Sequence, residues 1–381
     1  MAPTALTRRQ LLLGMGSLPL WGFTNAARKK DRVDVAMENG ANYLLSMQQK
    51  EGAFVRSGRA DAMTSLGIMA LASMGHQSTD PGKFGLSMQK AMDFILRREG
   101  KRLWRGQKMI YFGSDGSRMY GHGITTLCLA EMLGMSVGKT QEARLREVLK
   151  KAVELILFSQ RVRKGNASHR GGWRYSPLSS DSDLSITVWQ LMALRSAKGA
   201  GMDVPKEAIE MAVRYLKRSY YSPRNARGEP TNLRSGCGYM PGRPPSLAMA
   251  AAGLLSLQVC GEYDSPEARG SVNWLREQNI EKNRSYFYYS TYYYSQGMRK
   301  REKAVAEKAR QMVEDALLKK AGGRYMERGA WPCLLHVHGH AELISKVPLP
   351  ADISALNKAL CVFNDPFAFR MIRAMDSLVI R

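Results

Sequence analysis

The sequence predicts an all-α fold in which six outer and six inner helices alternate and close on themselves, an (α/α)6 toroid. Three observations predict it. Amphipathic segments recur along the chain, uniformly apolar segments alternate with them, and like segments return every roughly 40–60 residues, the period of helical arrays.

The outer helices read in order as "ENGANYLLSMQQ", "LSMQKAMDFILRR", "LKKAVELILFSQ", "IEMAVRYLKRSY", "RGSVNWLREQNI" and "EKARQMVEDALLKK". Each places apolar residues at i, i+3, i+4 and i+7 and charges on the opposite face, so each needs protein on one side and water on the other. The inner helices read as "AMTSLGIMALASMG", "GHGITTLCLAEMLGM", "LSITVWQLMALRSA", "PSLAMAAAGLLSLQV" and "YFYYSTYYYSQGM". They are short of charge all round, which suits helices enclosed by protein. Five pairs are clear, and a sixth, after Ala321, is degenerate. A helical-pair array stays open as a solenoid or closes; inner helices this apolar cannot line an exposed groove, so closure is expected.

Two segments stand outside the array. "TRRQLLLGMGSLPLWGFTNA" pairs Arg8 and Arg9 with a short apolar run and small residues, the layout of a twin-arginine export signal. The chain therefore divides into a signal at 1–26, helical pairs over 27–345, and a C-terminal tail at 346–381, where "KVPLPADISALNKALCVFNDPFAF" breaks the pattern. A periplasmic or other extracytoplasmic location follows from the signal. No other apolar run reaches the roughly 18 residues that span a bilayer. The five cysteines are scattered and lack CxxC spacing, which argues against a disulfide framework.

The loops carry a family resemblance. "QQKEGAF" (48–54) and "SQRVRKGNASHRGGW" (159–173) resemble the Gln…Gly-Trp repeat motifs of squalene cyclases and protein prenyltransferases. "SRMYGHGITTLCLAEMLGM", "GGWRYSP" and "DSDLSITVWQLMALRSA" resemble the single-domain, exported bacterial members of that superfamily. The resemblance covers most of residues 33–300 and implies an α/α toroid.

The chemistry of that superfamily is only partly matched. Polyene cyclases carry Asp-x-Asp-Asp-Thr-Ala, whose central Asp protonates an alkene or epoxide; here Asp183 matches that donor, Asp181 precedes it, and Leu184 replaces the acidic neighbour. A donor needs a raised pKa. Asp183 stands ahead of a predicted helix, where the dipole favours its carboxylate and its side chain suits an N-cap, in a loop with Arg161, Arg163, Lys164, Arg170 and Arg174. These neighbours are expected to lower its pKa, so Asp181 and Asp183 are read as loop-ordering and capping groups, with ligand contact and acid catalysis as the alternatives.

Prenyltransferases hold zinc through Asp-x-Cys and a distant His, and no Asp-x-Cys occurs here. The one metal-like cluster is "WPCLLHVHGHAEL", in which His336 and His340 share a helical face with Cys333 near it; no Glu completes an HExxH site. "VCGEYD" stops short of a Cys-Gly-Glu-Gln thioester motif. No cofactor is expected. In the run "SYFYYSTYYYSQ", Tyr288 and Tyr292 share a face, as do Tyr289 and Tyr293, and the run either packs as core or presents aromatic faces to a cation.

Charge gives the last clue. The chain carries a formal net charge of +24. The three long outer-to-inner connections, 97–120, 161–183 and 217–243, hold 18 basic and 5 acidic residues, against 10 and 9 in the opposite connections. One rim is therefore basic, and inner-helix N-termini open onto it. Two functional readings result. In the first, the protein does not cyclise anything and binds an anionic or amphipathic partner at that rim, with Tyr120, His122, Arg174, Tyr175, Asp181 and Asp183 at its mouth and Trp173 beside them. Anionic lipid, an isoprenoid or an acidic envelope polymer fits an exported protein, whereas nucleic acid does not. In the second, the protein is a terpenoid-cyclase-like enzyme with Asp183 as acid and Tyr288 and Tyr292 flanking the cation.

Overall fold

The computed structural model describes residues 32–55, 58–97, 109–282 and 286–321. The proposed signal, the Cys333, His336 and His340 cluster and the C-terminal tail lie outside the described residues.

Among the described residues eleven α-helices follow one another: α1 (Arg32–Met47), α2 (Ala60–Ser73), α3 (Lys83–Arg97), α4 (Arg118–Met132), α5 (Lys139–Arg161), α6 (Leu184–Gly199), α7 (Lys206–Ser219), α8 (Leu247–Val259), α9 (Pro266–Leu275), α10 (Phe287–Arg299) and α11 (Lys303–Ala321). The fold is all-α, and among the described residues only isolated β-bridges interrupt it. The two sequence types separate as expected. Every residue of α8 is buried, whereas α7 buries the stripe Ala208, Ile209, Ala212, Tyr215, Leu216 and Ser219 and turns its charges outward.

The even-numbered helices form an inner row in which α2 packs on α4, α4 on α6, α6 on α8 and α8 on α10. The odd-numbered helices lie against that row. The row bends: Tyr293 on α10 meets Trp189 on α6 edge to face, with ring centroids 6.3 Å apart.

Two straps repeat the same geometry at different places. Gln48, just past α1, donates from Nε2 to the carbonyls of Gly52 (3.0 Å) and of Ser87 on α3 (2.9 Å). Gln160, near the end of α5, donates to the carbonyls of Gly171 (3.0 Å) and of Ala208 on α7 (2.8 Å). Gly52 and Gly171 have φ of +103° and +90°, and a Cβ at either would stand 2.1 Å from the carbonyl oxygen of Lys90 or Met211. Only glycine meets both demands, a left-handed backbone and contact with the next outer helix. Past each glycine, the N–H of Phe54 or Trp173 donates to a threonine of the inner helix, Thr64 (3.3 Å) or Thr187 (3.0 Å). The Gln…Gly-aromatic motif thus binds an outer helix, the next outer helix and the inner helix between them.

No helix among the described residues is long and apolar enough to cross a membrane.

Candidate functional site

The starts of α4, α6 and α8 converge, and the loops before them are stitched together. Met119 N–H, in the first turn of α4, donates to the Tyr175 carbonyl (3.1 Å), and Leu184 N–H, at the start of α6, donates to the Tyr239 carbonyl (2.8 Å). Ser246 caps α8 by accepting from Met249 N–H (3.3 Å). This corrects the expectation of open helix N-termini: N–H groups that would attract an anion are taken up by neighbouring loops and caps.

The loop ahead of α6 is pinned along its length. Lys164 is buried, and its ammonium donates to the carbonyls of Ser179 (2.9 Å) and Asp181 (3.3 Å); burial lowers its pKa to about 8, against the pull of Asp181. Ser182 N–H donates to Nδ1 of His169 (3.1 Å), and the Ser182 hydroxyl donates to the His169 carbonyl (3.0 Å). Asp183 N–H closes on the Trp173 carbonyl (2.9 Å).

Asp183 is fully buried at the centre of this arrangement. Its Oδ1 accepts from Ile186 N–H (2.9 Å), which caps α6 as the sequence suggests, and from the Ser185 hydroxyl (2.6 Å). With the Ser185 proton committed there, the Tyr120 hydroxyl donates to Ser185 Oγ. Oδ2 faces Arg174, whose Nε is 3.4 Å away and whose Nη1 is 3.4 Å from Asp181.

The charge state of Asp183 is a correction. Burial is the largest influence and raises its pKa, although Ser185, Ile186 N–H, Arg174 and Tyr239 all pull it down. The expected lowering from helix dipole and arginines is real in sign but weaker than desolvation.

The other sequence-selected residues divide. Arg174 and Tyr175 belong to a stack rather than an open mouth: the guanidinium lies 5.0 Å from the Tyr175 ring centroid and 5.6 Å from that of Tyr239, and the Tyr175 and Tyr239 hydroxyls are 2.7 Å apart. Trp173 is buried and donates from Nε1 to the Ile156 carbonyl (2.9 Å). His122 is buried on the side of α4 that faces α5; its Nε2 is 3.1 Å from the Ala152 carbonyl, and its Nδ1 accepts from Phe112 N–H (3.4 Å). Burial lowers its pKa to about 3. His122 is a neutral core residue and does not line a mouth.

On α10 the tyrosines fill space. Tyr289, Tyr292 and Tyr293 are buried against one another, with ring centroids 4.9 Å apart for Tyr289–Tyr293 and 5.0 Å for Tyr292–Tyr293. The member close enough to sense Tyr120, Asp183 and Tyr239 is Tyr289. The α10 tyrosine associated with Asp183 is therefore Tyr289, next to the expected Tyr288. Tyr288 instead packs edge-on against Phe287, with centroids 5.1 Å apart.

Sequence reasoning also missed Ser185, Tyr239 and the buried role of Lys164. Ser185 had a signal, since the second residue of a helix lies within reach of its own N-cap. Tyr239 had none, because it arrives from the loop before another helix. Among the described residues no three His, Cys, Asp or Glu side chains gather as a metal site.

The arrangement can hold three helix starts in register, and it contains a hydroxyl chain, Tyr120 to Ser185 to Asp183, that ends on a dry carboxyl group. Compared with known proteins, the chain matches no family model and no curated protein.

Proposed function

We propose that this protein is an exported α/α toroid whose basic rim binds an anionic, amphipathic surface, and that the buried acid cluster holds the scaffold together. The observation that carries the reading is the composition of the loops ahead of α6 and α8. Arg163, Arg170, Arg227 and Arg243 are exposed there, as is Arg161 at the end of α5, and none pairs with a carboxylate among the described residues. Beside them Leu178, Tyr221 and Leu233 are exposed large apolar side chains. Arginine with exposed leucine and tyrosine suits a membrane interface that offers negative headgroups above an apolar layer. Closure of the helical pairs is supported by the bend that brings Tyr293 to Trp189.

The test is co-sedimentation of the full chain with vesicles of phosphatidylglycerol in phosphatidylcholine. Binding is expected at low salt and is lost as salt rises. At about 1 kcal/mol per arginine near such a surface, the combined variant Arg161→Gln, Arg163→Gln and Arg170→Gln binds roughly a hundredfold more weakly. Equal binding to purely neutral vesicles, or no loss in the variant, overturns the reading.

A second reading rests on Asp183. A buried carboxyl group with a raised pKa, backed by Tyr120 and Ser185, is suited to proton donation in a terpenoid-cyclase-like reaction on an isoprenoid. Arg174 and the α6 cap oppose it by stabilising the ionised form. Turnover of a polyprenyl substrate that Asp183→Asn abolishes would support it, and turnover unchanged by that substitution would remove Asp183 as the acid.

A further inference from the structure

On the outer wall a cleft of about 450 Å³ opens between α7, the start of α9 and the turn 224–230, lined by Arg214, Lys217, Arg218, Arg224, Glu229 and Glu267 among others. Four cations and two carboxylates converge there, and their pairings are unequal. Arg224 pairs with the buried Glu267 (3.2 Å) and also donates to the Gly228 carbonyl (2.6 Å). Lys217 pairs with Glu262 (2.8 Å). Glu229 is exposed and accepts from the Asn225 amide (3.0 Å).

Arg214 and Arg218 are left without a carboxylate among the described residues. Arg218 spends Nε on the Ser168 carbonyl (3.2 Å) and Nη2 on the Arg170 carbonyl, so its fork is fixed in place by the loop ahead of α6. Arg214 is exposed, one turn earlier on the same face of α7. Burial lowers the Arg218 pKa, and the charges of Arg214 and Arg224 lower it further. Two guanidinium groups without a carboxylate thus face the same cleft.

We propose that this cleft binds a phosphate monoester through Arg214 and Arg218. A phosphate monoester carries about −1.5 to −2 charge near neutral pH, which matches two guanidinium groups that lack a carboxylate; the fork of Arg214 suits two of its oxygens, and Arg218, held by the two carbonyls, keeps Nη1 for another. The volume leaves room for an organic body beside the phosphate, against Pro230 and Pro266. Glu229 is the opposing charge and limits affinity. The phosphate can belong to a free metabolite or to a lipid headgroup. The inference gives chemistry to one part of the basic surface and so rests on the anion-binding reading above.

The test is isothermal titration of the full chain with glycerol 3-phosphate, alongside co-sedimentation with phosphatidic acid in phosphatidylcholine vesicles. Arg214→Gln is expected to weaken phosphate binding about tenfold or more, and Glu229→Gln to strengthen it. Both positions are exposed, so neither change threatens the fold. Lys206→Gln, at the other end of α7, removes the same charge and leaves binding unchanged. Binding in solution with this variant pattern identifies a free ligand; the same pattern on phosphatidic acid vesicles alone identifies a headgroup. No binding in either arm, or equal losses in Arg214→Gln and Lys206→Gln, overturns the proposal. If phosphatidylglycerol vesicles still bind in that case, only the cleft is refuted; if the cleft binds phosphate and those vesicles do not, only the rim reading is.

Discussion

Arg174 is the counter-ion of Asp183: its Nε stands 3.4 Å from Oδ2 of a carboxyl group with no exposed surface. The same guanidinium reaches Asp181 at 3.4 Å, so one side chain from the loop ahead of α6 holds both acids of the cyclase-like motif. Replacing Arg174 with methionine keeps the stem and removes the charge, leaving a buried carboxylate alone. The expected loss is about 3 kcal/mol, read as a shift in the urea midpoint. Adding Asp183→Asn should recover most of it, because asparagine still caps a helix. A single variant as stable as the parent would show that Arg174 is not the counter-ion.

The straps make a paired prediction. Gly171→Ala sets a Cβ against the Met211 carbonyl at a left-handed φ, and Gly52→Ala does the same against Lys90. Each should cost several kcal/mol, since strain and overlap act together. Gln160→Leu leaves the Gly171 and Ala208 carbonyls without their shared donor and should cost about 2 kcal/mol. Thermal melts of the four proteins test this ordering, with both glycine variants below Gln160→Leu.

His122 makes the fold acid-sensitive. Its folded pKa, about 3, lies below the ordinary value of 6.5, so between those values the unfolded chain takes up a proton that the folded one refuses. Stability is fully present above the unfolded pKa and falls as pH drops, because a protonated ring would point a second donor at Phe112 N–H. The loss reaches roughly 5 kcal/mol at the acid limit. Denaturation midpoints at pH 7 and pH 4 should differ more for the native chain than for His122→Asn.

Asp183 has the opposite sign. Its folded pKa is raised, so its contribution is present below the ordinary carboxylate value and is lost as pH rises through the folded value. Asp183→Asn should therefore gain on the native chain in relative stability as pH climbs from about 4. A stability difference that is constant with pH, or that moves the other way, would contradict the raised value.

How much of this was legible in the sequence depended on whether the signal was local. The periodicity of α7 and the uniform apolarity of α8 are local, and both helices stand where periodicity put them. The Asp183 cap is local too, being set by the three residues that follow it. The Gln…Gly-Trp spacing marked the straps, although their partners Ser87 and Ala208 come from the next outer helix. What failed was non-local or angular. The Asp183 pKa depends on burial that only the folded chain provides, and Tyr239, which pulls it down, comes from the loop before another helix. Which of the two tyrosine faces meets Asp183 turns on one residue, about 100° around a helix, and a run of tyrosines offers no polar face to fix the rotation. His122 looked like a mouth residue because it lies near the start of α4, yet its ring faces α5.

The straps also bear on how the chain acquires its shape. Each closes over a short stretch of sequence, 39 residues from Gln48 to Ser87 and 48 from Gln160 to Ala208. Contacts of that range are inexpensive in loop entropy and form early. A nascent chain would lock α1 to α3, and later α5 to α7, as soon as the second helix of each couple leaves the ribosome. Assembly would then be stepwise. A glycine lost from the first strap would stall it at the beginning, whereas one lost from the second would let two pairs form before the chain went astray.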